Sequence, residues 1–116
     1  MPEIKHFAIG ADAHTIVNAI KEDGAIILDN VISTEFIAAL REETDPYMGG
    51  SNLGVDDFAG FKTTRTGGLM VRSAKCRELI AHQDILAASE LFLKPYCQRI
   101  QLHLTQIIRI SPGETA

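Results

Sequence analysis

Arg99-Ile100-Gln101-Leu102-His103-Leu104-Thr105-Gln106-Ile107-Ile108-Arg109-Ile110 is the strongest strand-like run in the chain, and Ser111-Pro112-Gly113-Glu114-Thr115-Ala116 follows it. Apolar and β-branched residues dominate the run and Pro-Gly is a turn dipeptide, so the pattern predicts a long strand over residues 99–110 that ends in a turn. A single strand leaves its backbone groups unpaired, and a sheet ordinarily continues after such a turn. Residues 1–116 are therefore expected to be the front part of one larger domain. Alternation divides the run into two faces. One carries Ile100, Leu102, Leu104, Gln106, Ile108 and Ile110 and is expected to lie under helices. The other carries Gln101, His103, Thr105, Ile107 and Arg109 and faces either solvent or a polar cavity.

Upstream, local signals place the helices. Asp12 is a cap for a helix from about Ala13 to Glu22, with Ile16, Val17 and Ile20 on one face and Gly24 as the stop. Ala25-Ile26-Ile27-Leu28-Asp29 reads as a short apolar strand. Ser33 or Thr34 begins a second helix whose inner face is Phe36, Ile37 and Leu40, and Asp45-Pro46 is expected to end it. Residues 46–68 hold six glycines (Gly49, Gly50, Gly54, Gly60, Gly67, Gly68) and read as a long lid, a binding loop or a disordered segment. These glycines match no phosphate-binding pattern. Helical spacing returns from Ser73 to Ala81 and from Asp84 to Leu93, with Pro95 as the break. The order fits an α+β domain with helices laid against a sheet.

The composition narrows the function classes. A length of 116 residues suits one domain, and 46% hydrophobic with 22% charged residues is ordinary for a globular protein. A net charge of -4 without a basic run argues against nucleic acid or an anionic membrane as partner. No stretch has the length of a membrane span or the pattern of a secretory leader. Cys76 and Cys97 are too few for a disulfide framework or a thiolate metal site, and a reduced, cytoplasmic setting is expected.

Few residues are candidates for chemistry. His82-Gln83-Asp84 has the spacing of a His-x-Asp iron motif, with His103 and Arg109 downstream. Leu79, Ile80, Ile85 and Leu86 give helical spacing on both sides, so His82 reads as a helix end and Asp84 as the cap of the next helix. Arg65 lies in Lys62-Thr63-Thr64-Arg65-Thr66-Gly67-Gly68-Leu69, where glycines let a ligand approach the backbone. Its guanidinium either pairs with a carboxylate or is simply solvated. Thr105, Arg109 and Ser111 share the polar face of the last strand and face a cosubstrate or substrate if that face lines a cavity. Cys76, Cys97 and His103 read as packing or hydrogen-bonded structural positions.

Three segments carry a resemblance. Gly24-Ala25-Ile26-Ile27-Leu28-Asp29-Asn30-Val31-Ile32 followed by a helix resembles the opening of the phytanoyl-CoA dioxygenase family. So do Lys62–Leu69 followed by Val71-Arg72-Ser73, and Leu104 through Ala116. The resemblance implies a non-haem Fe(II)- and 2-oxoglutarate-dependent oxygenase on a double-stranded β-helix (a jelly-roll or cupin-like barrel). It implies that this chain supplies the helical support layer and first strands. In the family the iron motif follows a Pro-Gly turn like this one, so no metal ligand or catalytic residue is expected here. Neither Fe(II) nor 2-oxoglutarate is expected on this chain alone. By the same resemblance Arg65 is expected on the cosubstrate side, and Thr105, from the polar face of the last strand, is placed there with it. Arg109 and Ser111 are expected to point inward at a small-molecule substrate, with Gln106 turned toward the helices. A non-catalytic α+β ligand-binding or interaction module is the competing expectation.

Overall fold

Asp12 starts the first helix as expected: its carboxylate accepts from the Thr15 amide at 3.0 Å and the Thr15 hydroxyl at 3.1 Å. That satisfies a donor which the first helical turn leaves free. Gly24 ends the same helix in the left-handed region (φ 81°), returning its N–H to the Ile20 carbonyl. The computed structural model describes residues 3–115. In chain order the elements are β1 (Lys5–Ala8), α1 (Ala13–Asp23), β2 (Ile26–Asp29), α2 (Thr34–Gly49), β3 (Thr63–Gly67), α3 (Leu69–Arg72), α4 (Ala74–Ile80), α5 (Gln83–Leu93) and β4 (Gln106–Ile110). The mixture of helix and strand is α+β. No helix is long and apolar enough to cross a membrane among the described residues.

The residues group into two compact units, the chain up to Thr34 with Glu78–Gln101, and Glu35–Arg77 with the stretch from Leu102 on. In the first, β1 and β2 pair in parallel, from Lys5 opposite Ile26 to Ala8 opposite Asp29. The connection between them contains α1, as a parallel crossover requires. Ile16, Val17 and Ala19 form the buried stripe of α1, and α5 packs against this helix. Lys5 bridges Glu22 (2.7 Å) and Asp23 (3.0 Å), tying β1 to the end of α1. β1 has no counterpart in the sequence pattern, because Lys5-His6-Phe7-Ala8 shows no alternation of polarity and becomes a strand only with a partner beside it.

In the second unit α2 runs through Pro46 instead of ending there. Proline removes one helical hydrogen bond, and packing holds the last turn. The Arg72 guanidinium sits 4.7 Å from the Tyr47 ring centre, and the Thr44 hydroxyl, buried, donates to the Leu40 carbonyl at 2.8 Å. The interior of this unit is rich in hydroxyls, each paired. Ser73 donates to Glu43 at 2.6 Å and accepts from the Cys76 amide at 2.9 Å, while Thr66 and Ser51 share a 2.6 Å bond. Burying such groups is tolerable only with partners.

β3 and β4 pair antiparallel, from Thr63 opposite Ile110 to Gly67 opposite Gln106. Two expectations are corrected here. The strand covers Gln106–Ile110, and residues 101–105 are irregular, because β3 offers only five residues to pair with. The apolar face is not buried either: Ile108 and Ile110 are 51% and 68% exposed, and the buried Thr66 lies on the face with Ile107 and Arg109. Opposed residues share a face in an antiparallel pair, so each face holds one buried threonine, Thr63 with Ile108 and Ile110, and Thr66 with Ile107 and Arg109.

Candidate functional site

Ser111-Pro112-Gly113-Glu114 forms the expected turn. Glu114 N–H donates to the Ser111 carbonyl at 3.3 Å, and Gly113 takes φ 79° at the position where a type II turn needs it. The turn folds Glu114 back onto β3. Its Oε2 accepts from the Lys62 amide at 2.6 Å and from the Thr63 hydroxyl at 2.7 Å. The Thr63 hydroxyl, aided by the backbone amides of Lys62 and Thr115, holds the Glu114 carboxyl below the usual carboxylate range. Ser111 closes the pair through its own amide, which donates to the Lys62 carbonyl at 3.0 Å.

Arg65 sits in β3 rather than in a loop, on the face it shares with Thr63, Ile108 and Ile110. One of its terminal nitrogens donates to the Ala59 carbonyl and the other approaches the Phe58 carbonyl at 3.3 Å. The guanidinium is half-buried and carries five N–H groups, so donors remain beyond these two contacts. Thr105 lies just before β4, where its hydroxyl accepts from the Leu69 amide at 3.1 Å. Arg109 lies opposite Thr64 on the other face, with a nitrogen 4.0 Å from the Met48 sulfur at the end of α2. Ser111 and the turn lie at the Thr63–Ile110 end of the β3–β4 pair, and Arg65 lies at its middle, opposite Ile108. The pairing does not bring Arg65 and Arg109 to a common face. Gln106 pairs with Gly67 on the Arg65 face, and Arg109 pairs with Thr64 on the other.

His82 and Asp84 both serve the start of α5. His82 is the residue that caps it: its Nδ1 accepts from the Asp84 amide at 3.2 Å, so the cap falls two positions earlier than the sequence pattern places it. The Asp84 carboxylate accepts from the Gly10 amide at 2.7 Å, joining the β1–α1 turn to α5. Among the described residues no group of three or more His, Cys, Asp or Glu side chains converges where a metal ion would sit. These residues thus do not fit an iron centre, and no chemical step is assigned to one here. Cys76 is buried and Cys97 exposed, both as free thiols.

Glu114 is the site residue the sequence reading missed. Its only signal is its place directly after Pro-Gly, one turn away from β3. Nothing local reveals that its acceptors meet a backbone amide 52 residues earlier in the chain, Lys62.

No family model matches the chain. It is similar along its length to three fungal enzymes, each 26% identical. They are the dioxygenase olcK of Penicillium canescens (100% of this chain, 41% of the relative), the dioxygenase FrzG of a Cladobotryum species (91% and 40%) and the multifunctional dioxygenase prhA of Penicillium brasilianum (99% and 40%). The chain spans about two fifths of the length of these curated relatives. The relationship is therefore to dioxygenases.

Proposed function

We propose that this chain is the N-terminal portion of an Fe(II)- and 2-oxoglutarate-dependent dioxygenase of the phytanoyl-CoA dioxygenase type, acting on a small organic substrate. The observation that carries this reading is the similarity to three dioxygenases over nearly the whole chain but only two fifths of their length. The Pro-Gly turn supports it, since in the resembled family the iron motif follows such a turn. In that protein β1–β4 would be the first strands of a double-stranded β-helix, and α1, α2, α4 and α5 its helical support. Bound iron would supply the oxygen-activating chemistry.

Arg65 is the residue of this chain best suited to hold a 2-oxoglutarate carboxylate, because a guanidinium offers paired donors to it. The Thr105 hydroxyl accepts from the Leu69 amide, Arg109 lies near the Met48 sulfur, and Ser111 shapes the turn. The exposed Ile108 and Ile110, beside Arg65, offer an apolar border to a substrate. Free thiols fit a reducing cytoplasm as the site of action. The test is the coding sequence after Ala116: a His-x-Asp within about a dozen residues is expected, because a strand after a hairpin turn starts close by. An in-frame extension of several dozen residues without it would sink the reading.

A further inference from the structure

The 54–61 loop is folded, not open. It leaves and rejoins at β3: Leu53 bridges Thr64, and the Gly54 amide donates to the Thr63 carbonyl at 3.0 Å. Its two limbs touch backbone to backbone at Gly54, where any Cβ would overlap the Gly60 carbonyl oxygen and lie 2.7 Å from the Ala59 carbonyl carbon. Inside the loop the Asp56 carboxylate accepts from the Ala59 amide at 2.6 Å and the Asp56 carbonyl from the Gly60 amide at 2.8 Å. Its tip presents apolar side chains outward, Val55 at 83% and Phe58 at 91% exposure. Exposed apolar residues do not fold a loop, so the order must come from its polar base.

That base has two charged clamps from outside the loop. Arg65 reaches back from β3 to the Ala59 and Phe58 carbonyls, and Glu114 grips Lys62 and Thr63 where the loop re-enters the strand. Gly60 sits between them, since a Cβ there would lie 2.6 Å from the Thr63 hydroxyl and 2.7 Å from the Glu114 carboxylate.

We propose that Arg65 and Glu114 are a two-point latch which keeps residues 54–61 closed as a lid and releases it when the carboxylate is neutralised. This holds whatever reaction the longer protein performs. The neighbouring charged groups are Lys62, whose ammonium lies beside Gly113, Asp56 and Asp57 within the loop, and Arg65 itself. Asp56 is committed to the Ala59 amide, while Glu114 alone of these carboxylates is seen to join the turn to β3. A carboxylate accepts hydrogen bonds about twice as strongly as a neutral group. The latch is thus closed above the ordinary carboxylate range and opens as pH falls through the depressed value of Glu114.

The test is amide hydrogen exchange on the full chain, reading protection factors at Gly54, Gly60 and Lys62 against interior amides of α1, from pH 7 downward until the Glu114 carboxyl, followed by its NMR chemical shift, has titrated. Wild type should lose protection at these three amides by roughly tenfold over the acid end. Glu114→Gln should show the reduced protection already at pH 7 and little further change, and Gly54→Ala should open the loop at every pH. Arg65→Ala should weaken protection while leaving the acid step. Equal protection in wild type and Glu114→Gln at pH 7, or an unprotected loop in wild type, overturns the latch. If Glu114→Gln also loses α1 protection, the acid step in wild type alone decides: its absence overturns the proposal.

Discussion

Ile16→Ala removes three carbons from the most deeply buried large side chain of α1, which is 1% exposed. At about 0.8 kcal/mol per buried carbon the transfer cost is about 2.4 kcal/mol. Isoleucine-to-alanine changes in cores cost about 2–5 kcal/mol once the cavity is included. Here the cavity contribution is expected to be small. Ile16 already borders an open apolar groove of about 340 Å³ with Ile20, Ile26, Leu28, Ile85 and Phe92, so the neighbours and water can close around the deletion. The expected loss is therefore near the low end, about 2.5 kcal/mol, or a melting temperature lower by about 10 °C for a domain of this size. Urea denaturation followed by circular dichroism measures it directly, with an unchanged slope showing that the same surface unfolds. Val71→Ala, at 88% exposure, is the control and should move the midpoint by no more than about 0.5 kcal/mol. A loss under about 1 kcal/mol for Ile16→Ala would refute the placement of the core along α1. A loss near 5 kcal/mol would instead show that the groove is filled in solution.

Other outcomes follow from the same contacts. His82→Ala should cost about 1 kcal/mol through loss of the α5 cap, and His82→Asn should restore it; equal losses for both would sink the capping role. The Thr15 amide holds the Asp12 carboxyl, and the Ser73 hydroxyl holds that of Glu43, below the usual range. Both groups thus contribute stability that is present above about pH 4 and lost as pH falls through their depressed native values. The melting temperature should hold from pH 7 to about 5 and fall below about 4; a rise on acidification would contradict this. In the longer protein, Arg65→Ala should weaken 2-oxoglutarate binding by about tenfold or more, measured by calorimetry, and an unchanged Kd would remove Arg65 from the cosubstrate site.

Much of the helical framework can be read from local chemistry. Asp12 and Gly24 mark both ends of α1 because caps are satisfied by residues within one turn. α4 and α5 show their spacing in the same way. Tertiary contacts decide the rest. Pro46 looks like a stop, yet Tyr47 against Arg72 holds another turn of helix, and no local rule reveals a cation beside that ring. Residues 99–105 have strand composition but no partner, so they stay irregular. β3 hides as Thr-Thr-Arg-Thr-Gly between glycines, although threonine suits a pleated strand. With β3 hidden, Arg65 looks like a loop residue, although it is a strand residue that clamps the loop. The site was legible as a list of residue types but not as a geometry, because the faces of β4 depend on the register with β3.

The most direct measurement is succinate release from 2-oxoglutarate under oxygen, made on this chain alone and on the longer polypeptide that contains it. Iron-dependent release by the longer polypeptide, with none from the 116-residue chain, is the expected result. Iron-dependent release by the short chain that disappears in His82→Ala would contradict it, as would a longer polypeptide that never turns over 2-oxoglutarate.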